Sequence, residues 1–312
     1  MSGEDLSGKL FLFQVGGPLA LDVIQAATGE DFADLDFIWH RESTIAKPDG
    51  SLMNVRVYRL GVAGTLAYEV HGSIDDAPDV YRALQKAGEP SGLVRLGLRA
   101  YGLNHTENGF AQSFLHFLPA YTEDPDFLQY LGAEPEEVFA ALPGSAGSDP
   151  SKPYFTPYEL GWGHMITFDH PFVGSEALKS TRTTRGPVTL IWEPTDVVDV
   201  YASQFTPGAE AQFMDFAANP IWTGDSTIVF SDDVRVDGEL VGISSGRMFS
   251  SSYSSMLSLA ILDLEHSAEG NRVEITWGDP STHQMTIRAA VGRYPRLELP
   301  KNRDITLSGS AT

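Results

Sequence analysis

No cysteine occurs among the 312 residues. Disulfides, thiolate nucleophiles and thiolate metal sites are therefore excluded. Bases are scarce: 21 lysines and arginines face 42 aspartates and glutamates, a net charge of −21. That sign repels phosphate backbones and anionic membranes, which argues against nucleic acid or a membrane as partner. A local basic pocket for a small ligand stays open. No apolar run approaches the roughly 20 residues that a membrane-spanning helix needs. The opening Met1-Ser2-Gly3-Glu4-Asp5 is acidic and lacks the apolar core of a secretory signal. A soluble cytoplasmic protein is the expectation, and Asn104-His105-Thr106 is then a chance match to a glycosylation acceptor. The eight histidines include no His-x-x-x-His pair, so no metal site is expected. Gly-x-Gly-x-x-Gly and the phosphate loop are both missing.

Hydrophobic residues make up 42% and charged residues 20%, an ordinary globular balance, and the length suits two or three domains. Lys9 to Val15 reads as a buried strand, closed by Gly16-Gly17-Pro18. A helix follows from about Leu19 to Ala27, with Gly29 as its stop. Asp36 to His40 reads as a second strand, Pro48-Asp49-Gly50 as a hairpin turn, and Val55 to Leu60 and Thr65 to Val70 as further strands. Asp75 to Ala87 reads as a helix, capped by Asp75 or Asp76 and ended by Gly88. A short helix is expected around Pro135 to Ala141, and Thr181 to Gly186 as a linker. Beyond Gly186 the pattern is all-β, with strands at 188–192, 227–230, 234–236, 239–241, 257–264, 273–277 and 285–291. Asp237-Gly238 is the clearest hairpin signal. The expected fold class is α+β: a mixed α/β part followed by a C-terminal β-barrel. Expected divisions are 1–122, 123–184 and 185–312.

One stretch stands out from this pattern. Between Gly97 and Phe110 lie Arg99, Tyr101, Asn104, His105, Glu107 and Asn108, a density of functional groups unusual for a core helix. Its plain alternative is a turn and helix with one face in water. Upstream, Glu69 sits in the strand-like Thr65 to Val70, where a buried carboxylate needs partners. A salt bridge to Arg59 or Arg99 would supply one.

Three blocks in register resemble the aminomethyltransferase family. They are Ala67-Tyr68-Glu69, the Gly97 to Phe110 stretch, and Phe172-Val173-Gly174-Ser175-Glu176-Ala177-Leu178, preceded by Thr156 to Gly163. That family includes the glycine-cleavage T protein, the dimethylsulfoniopropionate demethylase and the tetrahydrofolate-dependent vanillate and syringate O-demethylases. The resemblance runs from about Leu10 to the C-terminus. It implies a folate-binding α+β part and a terminal barrel, with a chain that starts inside the family's fold and lacks its N-terminal part.

The resemblance implies tetrahydrofolate as cofactor, with Glu69 receiving two pterin N–H groups and Gln14, Phe37 and Phe110 lining the pocket. Where the T protein has Ala-Arg-Asp, this chain has Ala100-Tyr101-Gly102, as in the aryl O-demethylases. A phenol with a pKa of about 10 suits a departing phenolate as hydrogen-bond donor, and His105 is the next candidate. The implied activity is O-demethylation of a methoxylated aromatic acid such as vanillate or syringate, giving 5-methyltetrahydrofolate and a catechol. The alternatives are an aminomethyltransferase of glycine cleavage, or a non-catalytic folate-binding subunit.

Overall fold

The computed structural model describes residues 4–61, 63–130, 143–147, 149, 152, 154–214 and 230–306. The chain folds as two compact units, Met1–Leu96 with Glu298–Thr312, and Gly97–Leu297.

The first unit is built on a four-stranded antiparallel sheet in the order β1 (Leu10–Gly16), β4 (Ala67–Ser73), β3 (Leu52–Tyr58), β2 (His40–Ala46). Alternation along each strand sends one set of side chains to each face. Phe11, Val15, Met53, Val55, Val57, Tyr68 and Val70 are buried on the covered face. Val23 and Ile24 of α1 (Ala20–Thr28) and Val80 and Leu84 of α2 (Ala77–Gly88) complete this core. The other face carries Gln14, Glu69, Tyr58 and His40 in one register row: Gln14 pairs with Glu69, Glu69 with Tyr58, and Tyr58 with His40.

Two local expectations are corrected here. Residues 36–39 form no strand: β2 begins at His40, the Trp39 N–H bonds to the Asp36 carbonyl at 3.1 Å, and Ile38 adopts φ 65°. The apolar run Phe37-Ile38-Trp39 mimics a strand, but its backbone is used otherwise. The Ile38 N–H donates to the Arg59 carbonyl, and the Arg59 N–H donates to the Trp39 carbonyl. Neither Asp75 nor Asp76 caps α2 through its side chain. Asp76 instead pairs with Lys47 at 2.8 Å. The helix ends at Gly88 as expected, and a 3-10 turn, Glu89–Ser91, follows it before the left-handed Gly92. The helix at Ala20–Thr28, its left-handed Gly29 and the hairpin between β2 and β3 stand as expected.

The second unit centres on a closed six-stranded barrel of antiparallel pairs. Its strands are β5 (Arg185–Trp192), β6 (Ser231–Val236), β7 (Glu239–Ser250), β8 (Ser255–Asp263), β9 (Arg272–Trp277) and β10 (Met285–Gly292), arranged β10-β5-β8-β7-β6-β9. The expected α+β class with a terminal barrel is therefore observed. Arg185 and Gly186, expected in a linker, already open β5. Asp237 and Gly238 have φ of 51° and 84°, as a two-residue hairpin demands. Trp192 and Trp277 are fully buried in the barrel core and meet edge to face, ring centres 6.2 Å apart. The Trp192 indole N–H donates to Ser258 Oγ at 2.9 Å, and the Ser244 hydroxyl donates to the same oxygen at 2.8 Å. Among the described residues, four helices accompany the barrel: α3 (Leu98–Asn108), α4 (Pro125–Tyr130), α5 (Ser175–Ser180) and α6 (Pro194–Ser203). The helix expected at 135–141, and residues 227–229 of an expected strand, lie outside the described residues. Among the described residues no helix is long and apolar enough to cross a membrane.

Candidate functional site

Two groups of expected site residues are found, one in each unit. In the first unit, the antiparallel register of β1 and β4 sets Gln14 directly against Glu69. Gln14 Nε2 donates to Glu69 Oε1 at 3.3 Å. His71 Nε2 lies 3.1 Å from the other oxygen. The glutamate side chain is 13% exposed. It stands on the sheet face opposite the helices. A carboxylate offers about four lone-pair sites, so two remain for a donor pair from a ligand. Tyr58 packs on His71, ring centres 4.5 Å apart, and His40 on Tyr58 at 4.8 Å. These three rings, tilted by 40° and 31° to one another, continue the polar row. His71, Tyr58 and His40 escaped sequence reading. The alternation from Val55 to Leu60 was visible, but the cross-strand register that sets Tyr58 against His40 was not.

The salt bridge considered for Glu69 does not run to Arg59. Arg59 is buried, and its guanidinium donates to the carbonyls of Leu35, Asn302 and Ile305 and to Asn302 Oδ1. Phe37 is half-buried in the turn before β2. No hydrogen-bonded or ring partner joins it to Glu69. Tyr68, beside Glu69, points the opposite way into the core, and burial pushes its phenol up to about 12.

In the second unit, Gly97 and Gly109 frame α3. Tyr101 and His105, four apart, stack along one side of the helix, ring centres 4.6 Å apart and edge to face. Tyr101 is half-buried, and its hydroxyl donates to Gln112 Oε1 at 3.2 Å. Burial raises its pKa above the ordinary phenol value. His105 is almost fully buried, and its Nδ1 meets the Phe110 carbonyl at 2.9 Å. A carbonyl only accepts, so Nδ1 carries the hydrogen and Nε2 is left as an acceptor. Burial also lowers the His105 pKa, against a smaller opposing effect of that bond. At neutral pH its free nitrogen takes a hydrogen rather than giving one. Phe110 stacks on Trp162 with centres 5.3 Å apart, so one of its two faces is covered.

The residue that sequence reading missed is His116, inside the apolar run 114–118. It is fully buried, and burial lowers its pKa to about 3. The Gln112 N–H donates to its Nδ1 at 2.9 Å, which fixes the hydrogen on Nε2. That nitrogen faces Thr106 Oγ1 at 3.1 Å, and the Thr106 hydroxyl donates to the Gly246 carbonyl at 3.0 Å. Gly246 has φ 61°, and a Cβ there would stand 2.3 Å from the His116 ring. Only glycine serves both demands. The one sequence signal was a lone histidine among Phe114, Leu115, Phe117 and Leu118, a pattern that does not announce its partners. Among the described residues no cluster of three histidine or acidic side chains is arranged to hold a metal.

Comparison with known proteins bears on both groups. The GCVT N-terminal domain matches residues 1–114. A sesamin methylene transferase from a Sinomonas species is 40% identical over 319 residues, covering 99% of this chain and 70% of that protein. A syringate O-demethylase from a Sphingobium species is 32% identical, covering 91% of this chain and 62% of its own length. An aminomethyltransferase from Shouchella clausii is 32% identical over 96 residues, 31% of this chain and 25% of that protein. With 40% identity across nearly its whole length, the chain belongs to the GCVT aminomethyltransferase family.

Proposed function

We propose that this chain is a tetrahydrofolate-dependent one-carbon transferase acting on aryl ethers, with a methoxylated aromatic acid of the vanillate or syringate type as donor. The observation that carries the reading is Tyr101: a half-buried phenol, hydrogen-bonded on one side, where a departing aryl oxygen needs a donor. The cofactor assignment rests on Glu69 in the first unit. Its carboxylate is shielded, it retains open lone pairs, and Gln14 and His71 hold both oxygens in place. Such a group fits the paired N–H donors of a pterin ring, and fits poorly with an anionic ligand.

Tetrahydrofolate, held by Glu69 and Gln14, would supply a secondary amine as the acceptor of the transferred carbon. The chain's residues do the rest. Glu69 and Gln14 orient the ring, and alignment for linear attack is where most of the acceleration arises. As the carbon–oxygen bond breaks, the aryl oxygen leaves with the electron pair. Tyr101 donates its hydrogen to that oxygen and is reprotonated from solvent. His105, tied through Nδ1–H and neutral, keeps Tyr101 in place from its edge. This assigns His105 a positioning role instead of the donor role expected as its alternative.

A second reading has its own support. The methylene transferase is more similar to this chain than the syringate O-demethylase, 40% against 32%. A methylenedioxy bridge is also an aryl ether, and opening it frees the same kind of oxygen. The test is direct. The protein is incubated with tetrahydrofolate and either syringate, vanillate or a methylenedioxybenzene, and products are read by mass spectrometry. 5-Methyltetrahydrofolate with a catechol supports the first reading, and 5,10-methylenetetrahydrofolate with a catechol the second. Tetrahydrofolate binding without product from any donor would sink both and leave the folate-binding subunit.

A further inference from the structure

The partner of the Tyr101 hydroxyl is an amide, and that choice has chemical content. A phenol has one hydrogen to give. While it donates to Gln112 Oε1, that hydrogen is unavailable to a substrate. A carboxamide carries an acceptor and a donor on one carbon and exchanges them by a half-turn of its last torsion. Among the described residues, none accepts from the Gln112 amide nitrogen. Its side chain is half-buried, and the half-turn leaves the shape of the amide unchanged.

Everything behind the amide is fixed. The Gln112 backbone N–H donates to His116 Nδ1, and its carbonyl accepts from the His116 N–H at 2.8 Å. Through Nε2, the same imidazole reaches Thr106, five residues after Tyr101 on α3. Thr106 is anchored to the Gly246 carbonyl of β7, and the Ser245 hydroxyl holds the His116 carbonyl at 2.8 Å. The phenol and the amide that faces it thus hang from one buried frame.

We propose that Gln112 is the positioning residue of the Tyr101 phenol. Before the donor binds, its oxygen keeps the phenolic hydrogen. When the aryl oxygen arrives, the amide turns and its N–H faces the phenolic oxygen. The phenolic hydrogen is then directed outward, and the charge left on Tyr101 as it gives up that hydrogen is stabilised. The turn of the amide itself changes only hydrogen bonds; the phenolic O–H bond breaks later, as its proton passes to the aryl oxygen that leaves with the carbon–oxygen electron pair. The inference rests on the reading of Tyr101 as the donor.

The Tyr101 pKa tests it without turnover. Tyrosine labelled at Cζ is followed by NMR across alkaline pH, with Tyr101→Phe identifying the signal among the 11 tyrosines. Gln112→Glu keeps the shape but only accepts, so the Tyr101 pKa should rise by about one unit or more above wild type. Gln112→Leu removes the donor that supports the phenolate and should also raise it. Turnover should fall by roughly tenfold or more in both variants, with melting temperature and tetrahydrofolate-induced stabilisation near wild type. Gln112→Asn keeps both amide functions and should lie between wild type and Gln112→Leu in both readouts. Where a variant does not fold, the remaining two decide. An unchanged Tyr101 pKa in Gln112→Glu and Gln112→Leu overturns the proposal, even where Tyr101→Phe is inactive. If Tyr101→Phe is fully active, it is the donor reading that fails, while a shifted pKa still shows the grip of Gln112 on the phenol.

Discussion

The Arg59 guanidinium donates to the backbone carbonyl of Asn302 at 2.8 Å, across 243 residues of sequence. The returning segment is clamped from several sides. Arg59 Nε also donates to Asn302 Oδ1 at 3.2 Å, and Asn302 Nδ2 donates to the Ala67 carbonyl at 3.0 Å. Ala67 opens the strand that carries Glu69. The strand proposed to hold the cofactor is therefore pinned at its start by residues from the far end of the chain.

Arg59→Met should show what that clamp is worth. It leaves at least three buried carbonyl groups without their donor, at about 1–3 kcal/mol each before relaxation. A net loss of roughly 3 kcal/mol in urea unfolding is the expectation, and Arg59→Lys should recover only part of it, since one ammonium cannot copy a fork of five donors. A loss below about 0.5 kcal/mol in Arg59→Met would show that the clamp is idle.

Tyr101→Phe keeps the ring against His105 and removes only the hydroxyl. Turnover of the productive donor should drop by roughly 10²–10⁴, with tetrahydrofolate still raising the melting temperature as in wild type. Glu69→Gln should do the converse and largely abolish that rise. Equal melting shifts for wild type and Glu69→Gln would remove Glu69 from the site.

His116 makes a prediction about pH. Its folded pKa of about 3 lies below the 6.5 of an unfolded histidine. Between these values the unfolded chain binds the extra proton, so stability rises with pH. The contribution is complete above pH 6.5 and is lost as pH falls towards 3, with a slope of at most about 1.4 kcal/mol per pH unit. His116→Gln should be less stable than wild type at pH 7.5, and the gap should narrow steadily from pH 6.5 to 4. A gap that stays constant over that range would mean that His116 does not carry the acid sensitivity. Asp232, buried with a pKa raised to about 7, acts in the opposite sense over an overlapping range, which is why the difference between the two proteins is the quantity to measure.

Limited trypsin digestion probes the stretch before the barrel. Residues 182–184 are exposed, whereas Arg185 lies in β5 and its guanidinium binds Glu159 at 2.6 Å. The first cut in this region should fall after Arg182, because exposed backbone outside regular structure is nicked first. Early cleavage after Arg288, within β10, would instead contradict the closed barrel.

Sequence pattern by itself determined most of the local architecture. The helix ending at Gly29, the Pro48-Asp49-Gly50 and Asp237-Gly238 hairpins, the glycine-framed α3 and the run of barrel strands all follow from periodicity and turn chemistry, which act over a few residues. Family membership was likewise legible, in Ala67-Tyr68-Glu69 and the two later blocks. Only the tertiary structure decided who faces whom. That Gln14, and not Arg59, partners Glu69 depends on strand register, which links residues 55 apart, whereas His71 reaches Glu69 from two residues along the same strand. The turn at 36–39 was lost because tertiary pairing with Arg59 outweighed the strand propensity of Phe-Ile-Trp. His116 looked like one more residue in an apolar run. Its meaning came from Gly246, far along the chain on β7, where a missing side chain leaves the space that the imidazole fills.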